Sequence, residues 1–340
     1  MINRRVSKET MQTGLVSLIT PCYNTGDIIH RLMDSVLSQD YPRIEMFVVD
    51  DGATDNTRDV ISSYVKRFAE RGYVLNYVYQ SNAGQAAAVN RVLSLVTGEF
   101  LAWPDSDDYY ASSRSISTFV HQFDKLDESY GLVRSYPIYI DEKTLKPIQD
   151  NRPRSYDEQQ FENCLFSKSG FVWPPVNYMA RMTCFRRVNP SMSIYTGFHF
   201  AQNWQMLLPL LYSYKCYTIE ESLSCVLVRT ESYSRGAYNT YEQRLHYIQS
   251  HMEIRFYTLD RISEISQEER DVYKQEVRKQ NIRDRLDLAM QYGQHDDVME
   301  CLKSLKDAKV KVGFKEKIKV WLLRYPVLYK VLLRLNGFVR

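Results

Sequence analysis

The segment Glu45–Asp55 reads EMFVVDDGATD, and it indicates the fold more clearly than any other part of the chain. An apolar run of strand length ends here at an acidic turn, Asp50–Gly52. Such a run is typical of a strand buried in a parallel sheet, and Asp-Gly is a common turn dipeptide. Thr54 and Asp55 are residue types that cap helices, so a helix is expected to follow. The segment therefore predicts a strand–turn–helix unit.

The same unit recurs on both sides of this segment. Further apolar runs predict strands at Leu15–Ile19, Val74–Tyr79 and Glu99–Trp103. Turns and apolar residues at helical spacing predict helices at residues 28–37, 60–68 and 85–96. Strands that alternate with helices predict an α/β fold, a mostly parallel sheet with helices on both faces. Ligands of such open sheets bind beyond the carboxyl ends of the strands.

Beyond about residue 129 the pattern changes. Residues 133–148 have the pattern of a hairpin, and residues 202–214 that of a helix. Residues 216–229 have the pattern of two strands, and residues 241–306 that of three helices. We therefore predict an α/β domain over residues 1–235, with halves at about 15–128 and 129–235. A helical C-terminal region is predicted over residues 236–340.

The composition of the 340 residues is that of a globular protein, with 44% hydrophobic and 25% charged residues. The 44 basic and 41 acidic residues give a net charge of +3, which argues against a nucleic-acid binder with a global basic field. The 6 cysteines show no CxxC spacing, so we expect reduced thiols. Met1–Gly14 is polar and no run of 18 apolar residues occurs, so a cytoplasmic location is expected.

Positive charge is concentrated at the C-terminus. Lys303–Arg340 carries eleven basic and two acidic residues, so the other 302 residues carry a net charge of −6. Apolar and basic residues alternate at helical spacing from Phe314 to Leu335, with an interruption at Pro326. This pattern is typical of an amphipathic helix in an anionic membrane interface. Packing on the protein's own core or on a dimer partner is the open alternative.

The strongest chemical signal is Asp105-Ser106-Asp107-Asp108, directly after the fourth predicted strand. Carboxylates at this spacing can hold a hard divalent cation, Mg²⁺ or Mn²⁺, which neutralises a diphosphate leaving group. A solvated acidic loop would explain the tetrapeptide alone. Its place at a strand end favours the metal site.

Two weaker signals follow the second and third strands. Asp51 can accept a hydrogen bond from a base or a ribose hydroxyl, although a simple turn also explains it. Asn82, Ala83 and Gly84 precede a helix whose N-terminus would favour an anion, although an ordinary cap also explains them.

Together these segments resemble the inverting family 2 glycosyltransferases of the GT-A fold, of the bacterial surface-polysaccharide type. The resemblance is strong over Leu15–Ser117 and looser over Ser129–Arg235, and the matching motifs are Thr20–Asn24, Val48–Asp55, Asn82–Gly84 with Asn90, and Asp105–Asp108. It implies that Asp51 binds the nucleotide base, Asp105 contacts the ribose, and Asp107 contacts the metal and the diphosphate. The residues implied to bind the donor also include Pro21, Tyr23, Asn24, Asn82 and Gly84.

One departure concerns the catalytic base. The family commonly has Glu-Asp-Trp here, with the Asp as base, whereas this chain has Gln202-Asn203-Trp204. A carboxamide cannot take a proton from an acceptor hydroxyl at neutral pH. Asn203 is therefore expected to position the acceptor, with His199 as a candidate substitute base. A packed or solvent-facing histidine is the alternative for His199.

A second departure lies near residue 231, where related enzymes often carry Arg-x-His. Glu231 stands here as a candidate metal ligand, while Arg229 and Arg235 could clamp phosphate oxygens. On the acceptor side, Trp173 and Trp204 could stack on a sugar face beside Gln202; core packing is the alternative for both tryptophans.

The resemblance implies an enzyme, and the basic C-terminal segment predicts that it lies on the inner face of the cell membrane. It would move one sugar from a nucleotide sugar, UDP-linked by expectation, to a lipid-linked or growing glycan. Two other functions remain open at this point: a catalytically silent nucleotide-sugar-binding partner, motivated by Asn203, and a nucleotidyltransferase. The latter usually needs a glycine-rich phosphate loop after the first strand, and Pro21–Asn24 is not one. A homodimer through the C-terminal helices is a further possibility.

Overall fold

The structure is a computed structural model that describes residues 11–150, 155–168, 170–197, 202–229, 238–310 and 313. The chain divides into two compact units, Met1–Arg229 with Arg261–Glu264 and Thr230–Asp260 with Ile265–Arg340. The first unit is an α/β domain and the second is helical in its described part.

The elements of the first unit alternate as the sequence predicts. Its strands are β1 (Gln12–Cys22), β2 (Ile44–Asp50), β3 (Val74–Tyr79), β4 (Gly98–Ala102), β5 (Tyr109–Tyr110), β6 (Tyr130–Arg134), β7 (Pro137–Asp141), β8 (Pro147–Asp150), β9 (Tyr178–Arg181), β10 (Lys215–Thr218) and β11 (Ser224–Val228). Its helices are α1 (Ile29–Leu37), α2 (Thr57–Glu70), α3 (Gln85–Leu93), α4 (Ser115–Phe123), α5 (Phe161–Leu165), α6 (Met182–Val188) and α7 (Gln202–Ser213).

A seven-stranded sheet has the order β10-β6-β9-β4-β1-β2-β3. Its pairs are parallel except those that β9 makes with β4 and β6. A second sheet has the order β5-β11-β7-β8. The predicted α/β fold with a mostly parallel sheet is therefore confirmed. The parallel strands β1, β2, β3 and β4 bring their carboxyl ends to one edge, where the site residues lie.

Burial explains why these strands pair at the centre. Every residue of β2 is buried, as expected for a strand covered on both faces. Helix α1 buries an apolar stripe at helical spacing, and with α2 and α4 it packs in one core with strand residues such as Val16, Leu18, Met46 and Val48.

The hairpin predicted over residues 133–148 is only partly correct. Strands β7 and β8 do pair in antiparallel fashion. However, the apolar run that begins at Val133 belongs to two strands in different sheets, because the chain leaves β6 at Arg134 and enters β7 at Pro137. Proline has no N–H for a ladder, so a break there is physically reasonable.

The second unit contains the helices α8 (Tyr241–Arg261), α9 (Gln267–Tyr292) and α10 (His295–Asp307). Ser266 and Glu269 form a capping box at the start of α9, and Gly293 ends it in the left-handed conformation with φ 70°. None of the helices in the described part of the chain is both long and apolar enough to cross a membrane. The amphipathic segment predicted over Phe314–Leu335 lies outside the described residues.

Candidate active site

Asp51 joins the ends of two strands. It follows β2, its side chain is 4% exposed, and its carboxylate accepts three hydrogen bonds. Gln80 Nε2 donates to Oδ1 at 2.7 Å, the Ala83 N–H donates to Oδ1 at 2.8 Å, and the Gly84 N–H donates to Oδ2 at 2.8 Å. The residue that the resemblance assigns to the nucleotide base therefore also organises the loop after β3.

Two glycines allow this close approach. Gly52 has φ 82°, and a Cβ there would lie 2.7 Å from the backbone nitrogen of Asn82. Gly84 has φ 89° immediately before α3. A side chain at either position would be strained in this left-handed region. Asn82 itself is exposed at the strand edge.

The end of β1 supplies the other residues assigned to the donor. Pro21 is buried in the sheet, whereas the Tyr23 ring is 48% exposed at its edge. Asn24 adopts φ 50°, and its Oδ1 accepts a hydrogen bond from the Thr54 N–H at 2.8 Å. The ends of β1 and β2 are thus tied together, with Tyr23 open to a ligand.

Three carboxylates cluster after β4. Asp105 and Asp107 are half-buried and Asp108 is buried. Burial and the charge of Asp107 raise the pKa of Asp105 to about 8, while the hydrogen bond that Gln85 Nε2 donates to its Oδ1 at 2.6 Å acts in the opposite direction. Burial and the charges of Asp107 and Asp105 also raise the pKa of Asp108 well above its ordinary value. Neighbouring negative charge and burial therefore both disfavour the ionised forms of Asp105 and Asp108.

This donor set suits a hard divalent cation. Crowded carboxylates whose ionised forms are disfavoured gain most from a bound cation, and carboxylate oxygen is the ligand that Mg²⁺ and Mn²⁺ prefer. Within the described ranges, no group of three His, Cys, Asp or Glu side chains is arranged to hold a metal. Asp105 and Asp107 are of the right chemical type for two ligands, and the other positions of such an ion would be left to further ligands or to water, as is usual for Mg²⁺.

Asn203 is engaged by two tryptophans. Trp103, a buried residue directly after β4, donates from Nε1 to the Oδ1 of Asn203 at 3.1 Å. The Nδ2 of Asn203 donates to the carbonyl oxygen of Trp173 at 3.5 Å. An amide can accept one of these bonds and donate the other, whereas a carboxylate can only accept. This environment explains an asparagine at the position. His199 lies outside the described residues.

The residues expected to face the acceptor differ in burial. Trp204 is 5% exposed and its ring centroid lies 4.3 Å from that of Trp173. Gln202 is also buried, whereas Trp173 is half-buried. The burial of Trp204 and Gln202 favours packing roles in this structure, and Trp173 is the more accessible ring.

Arg229, expected to clamp phosphate, forms an ion pair with Glu142, with Nε 3.1 Å from Oε1. Its guanidinium is therefore already held by a carboxylate at the edge of the second sheet. Glu231 and Arg235 lie outside the described residues.

Several residues near the site were not predicted from the sequence. Trp103 contacts Asn203, and Gln85 contacts Asp105. The side-chain amide of Gln205 forms two hydrogen bonds with the backbone of Tyr195: Oε1 accepts from the N–H at 2.7 Å, and Nε2 donates to the carbonyl oxygen at 2.9 Å. The position of Trp103 beside the acidic tetrapeptide was an available signal, but the partners of the two glutamines lie 10 and 20 residues away.

The mostly parallel sheet and the carboxylates at its strand ends define an α/β domain of the GT-A type. Residues 17–185 match the family described as glycosyl transferase family 2. This segment belongs to the family.

Relatives and solved structures agree with this assignment. The chain is 42% identical over 100 residues to TuaG of Bacillus subtilis (strain 168), whose name assigns it to teichuronic acid biosynthesis; the match covers 29% of this chain and 38% of TuaG. Because less than half of that relative is spanned, the likeness concerns one segment. The fold resembles S. aureus TarS in complex with UDP-GlcNAc, with TM-score 0.57, 15% identity and coverage of 81% and 80% of the two chains. It also resembles a Pyrobaculum calidifontis mannosyltransferase in complex with GDP-Man and Mn²⁺, with TM-score 0.52, 18% identity and coverage of 96% and 89%.

Proposed function

We propose that this protein transfers one sugar from a nucleotide-sugar donor, UDP-linked, to a lipid-linked or growing polysaccharide in cell-surface glycan biosynthesis. The observation that carries the proposal is the crowded pair Asp105 and Asp107 at the end of β4, within a family 2 domain. The similarity to TuaG supports a surface glycan as the product. The solved structures with UDP-GlcNAc and GDP-Man support a nucleotide-sugar donor.

In this proposal Asp105 and Asp107 hold Mn²⁺ or Mg²⁺ beside the donor diphosphate. When bound, the cation neutralises charge that develops on the leaving nucleotide diphosphate. The exposed ring of Tyr23 covers the base, and Asp51 keeps the loop at residues 80–84 against it. The Mn²⁺ bound to the archaeal mannosyltransferase supports a metal-dependent mechanism.

The acceptor is proposed to enter on the side of Trp173 and Asn203. Transfer is a single displacement with inversion, as the family resemblance implies, in which the acceptor oxygen replaces the diphosphate and loses its proton. Asn203 links Trp103 and Trp173 through the hydrogen bonds of its side-chain amide. It does not receive the proton, because an amide has no basic site at neutral pH. His199 is the proposed candidate for the base.

The remaining parts of the proposal rest on the sequence. Residues 1–235 form the glycosyltransferase domain, and the basic segment after Lys309 holds the protein on the inner, anionic face of the cell membrane, where lipid-linked acceptors are found. Glu231 and Arg235 complete the metal and phosphate contacts. Dimerisation through the C-terminal helices is the alternative use of that region.

The second candidate function is a catalytically silent nucleotide-sugar-binding partner. It is favoured by one observation, the amide of Asn203 at the position where the family resemblance implies a carboxylate base. A nucleotidyltransferase has no comparable observation in its favour.

A panel of nucleotide sugars, measured for binding and hydrolysis with Mn²⁺ and with EDTA, tests the proposal. Metal-dependent binding and turnover of one UDP-sugar is the expected result. Binding without any turnover, even with glycan acceptors, would establish the silent partner. Absence of binding to every nucleotide sugar would reject the proposal.

Membrane attachment is tested separately with vesicles that contain anionic lipid. The full chain should sediment with them, and a chain that ends at Lys306 should not. Salt should weaken the interaction without removing it, because the apolar contribution is not screened. Equal behaviour of the two chains would assign the segment to internal or dimer packing.

A further inference from the structure

Gln85 bridges two strand ends within the candidate site. It is the first residue of α3, in the segment that follows β3, and its side chain reaches the carboxylate that follows β4. Its Nε2 donates to Oδ1 of Asp105 at 2.6 Å. In the part of the chain that the structure describes, this is the one side-chain or backbone donor to that carboxylate. The orientation of Asp105 thus depends on one amide.

The position of Gln85 is set in turn by Asp51. The two N–H groups that Asp51 accepts belong to Ala83 and Gly84, the residues directly before Gln85. A third bond, from Gln80, holds the start of the same loop. A continuous chain of contacts therefore runs from the end of β2, through the start of α3, to the end of β4.

We propose that Gln85 is a positioning residue that holds the Asp105 carboxylate toward the donor and its cation, and that Asp51 acts on the same carboxylate through Gln85. The inference rests on the proposed function, because it requires a nucleotide diphosphate and a divalent cation at Asp105. Without the bond from Gln85, no donor among the described residues would hold the Asp105 carboxylate in its present orientation.

The variant Gln85→Met tests the first part. Methionine keeps the length and the helix propensity of glutamine but has no N–H to donate. Affinity for UDP in the presence of Mn²⁺, measured by calorimetry, should fall roughly tenfold to a hundredfold, as expected for the loss of a hydrogen bond to a charged group. The donor KM should rise by a similar factor, with the acceptor KM unchanged.

Gln12→Met is the matched control. Gln12 also donates one amide hydrogen bond, from Nε2 to Thr97 Oγ1 at 3.2 Å, but at the amino end of the same sheet. This variant should bind UDP with Mn²⁺ as the wild type does. Equal affinities in Gln85→Met, Gln12→Met and the wild type would overturn the inference. If thermal unfolding shows that Gln85→Met does not fold, the Gln85→Ala variant is compared with the wild type instead.

A double-mutant cycle with Asp51→Asn tests the second part. Asparagine cannot accept all three hydrogen bonds, because one of its terminal atoms is a donor. If Asp51 acts through Gln85, the loss of affinity in the double variant should be clearly smaller than the product of the two single losses. Independent, multiplying losses would overturn this part and return Asp51 to a separate contact with the base.

Different results would contradict the proposed function and the role of Gln85. A wild-type chain that binds neither UDP nor any nucleotide sugar with Mn²⁺ contradicts the proposed function. A wild-type chain that binds them, with an affinity that Gln85→Met leaves unchanged, contradicts the role of Gln85 alone.

Discussion

Two carboxylates of the same sheet, Glu45 and Asp105, are surrounded very differently. Glu45 is buried in β2, and its Oε1 accepts bonds from Ser17 Oγ at 2.5 Å, the Thr97 N–H at 2.7 Å and Thr97 Oγ1 at 3.2 Å. Among the described residues, Asp105 has one donor to its carboxylate, Gln85, and it lies beside the carboxylates of Asp107 and Asp108. Glu45 is thus surrounded by hydrogen-bond donors, whereas Asp105 is crowded by other carboxylates.

This difference separates a structural carboxylate from a candidate ligand-binding one. A buried acid that accepts hydrogen bonds from several protein donors is compensated for the loss of water and contributes to the fold. Crowded acids with few donors disfavour their own ionisation, and a cation or other positive group relieves this cost. The contrast predicts opposite consequences when each kind of carboxylate is removed.

The largest effect is expected for Asp107→Ala. Transfer and metal-dependent donor binding should be abolished, a loss of at least about a hundredfold, because one of the carboxylates proposed to hold the cation is gone. Thermal unfolding without ligand should change little. Turnover at the wild-type rate, in this variant and in excess chelator, would remove the metal from the proposed mechanism.

Removing the Glu45 carboxylate should lower the stability of the fold and leave donor binding unchanged, the opposite of what is expected for Asp107. Glu45→Ala is expected to lower the free energy of unfolding by about 2–4 kcal/mol, because it leaves buried donors of Ser17 and Thr97 without an acceptor. Glu45→Gln keeps an acceptor oxygen and should cost less than about 1 kcal/mol. Donor affinity of the folded variants should match the wild type. A metal-binding defect in Glu45→Ala would contradict the assignment of Glu45 as a purely structural carboxylate.

The titration of Asp105 should contribute to the pH dependence of the free energy of unfolding. Its pKa is raised to about 8 in the folded protein, above the value of about 3.9 in an unfolded chain, so the folded state binds more protons between these values. Stability without metal should therefore fall as pH rises from about 4 to 8, by at most about 1.4 kcal/mol per unit from this group. Asp105→Asn should flatten this slope, as followed by denaturant unfolding at several pH values. An unchanged slope would show that Asp105 does not titrate in this range.

The smallest effect is expected where a carboxylate is added. Asn203→Asp replaces the donor that faces the Trp173 carbonyl by an oxygen, so it should not accelerate transfer greatly at neutral pH. A hundredfold gain, within the range of general-base catalysis of ~10²–10⁴, would mean that the natural chain is an impaired form of the family's mechanism. In parallel, an unchanged pH–rate profile in His199→Ala would clear His199 of the role of base.

Most of the first half of the α/β domain, residues 15–128, was predictable because its signals are local. Strand β3 has the bounds that the apolar run at residues 74–79 predicts, and α3 begins at the predicted Gln85. Both follow from periodicity and from turn residues within one short window. The same locality placed Asp51 and Asp105 at strand ends, since a buried run followed by an acidic turn marks the carboxyl end of a strand.

The sequence by itself determined the alternation of strands and helices, the edge of the sheet that carries the acids, and the family. Only the tertiary structure decided which side chains those acids meet. Trp103 and Asn203 are 100 residues apart, and β9 enters the sheet between β4 and β6 in the antiparallel direction. No short-range period encodes such contacts, because they depend on how distant elements pack. For the same reason burial distinguishes Trp204, which lies in the interior, from the more accessible Trp173.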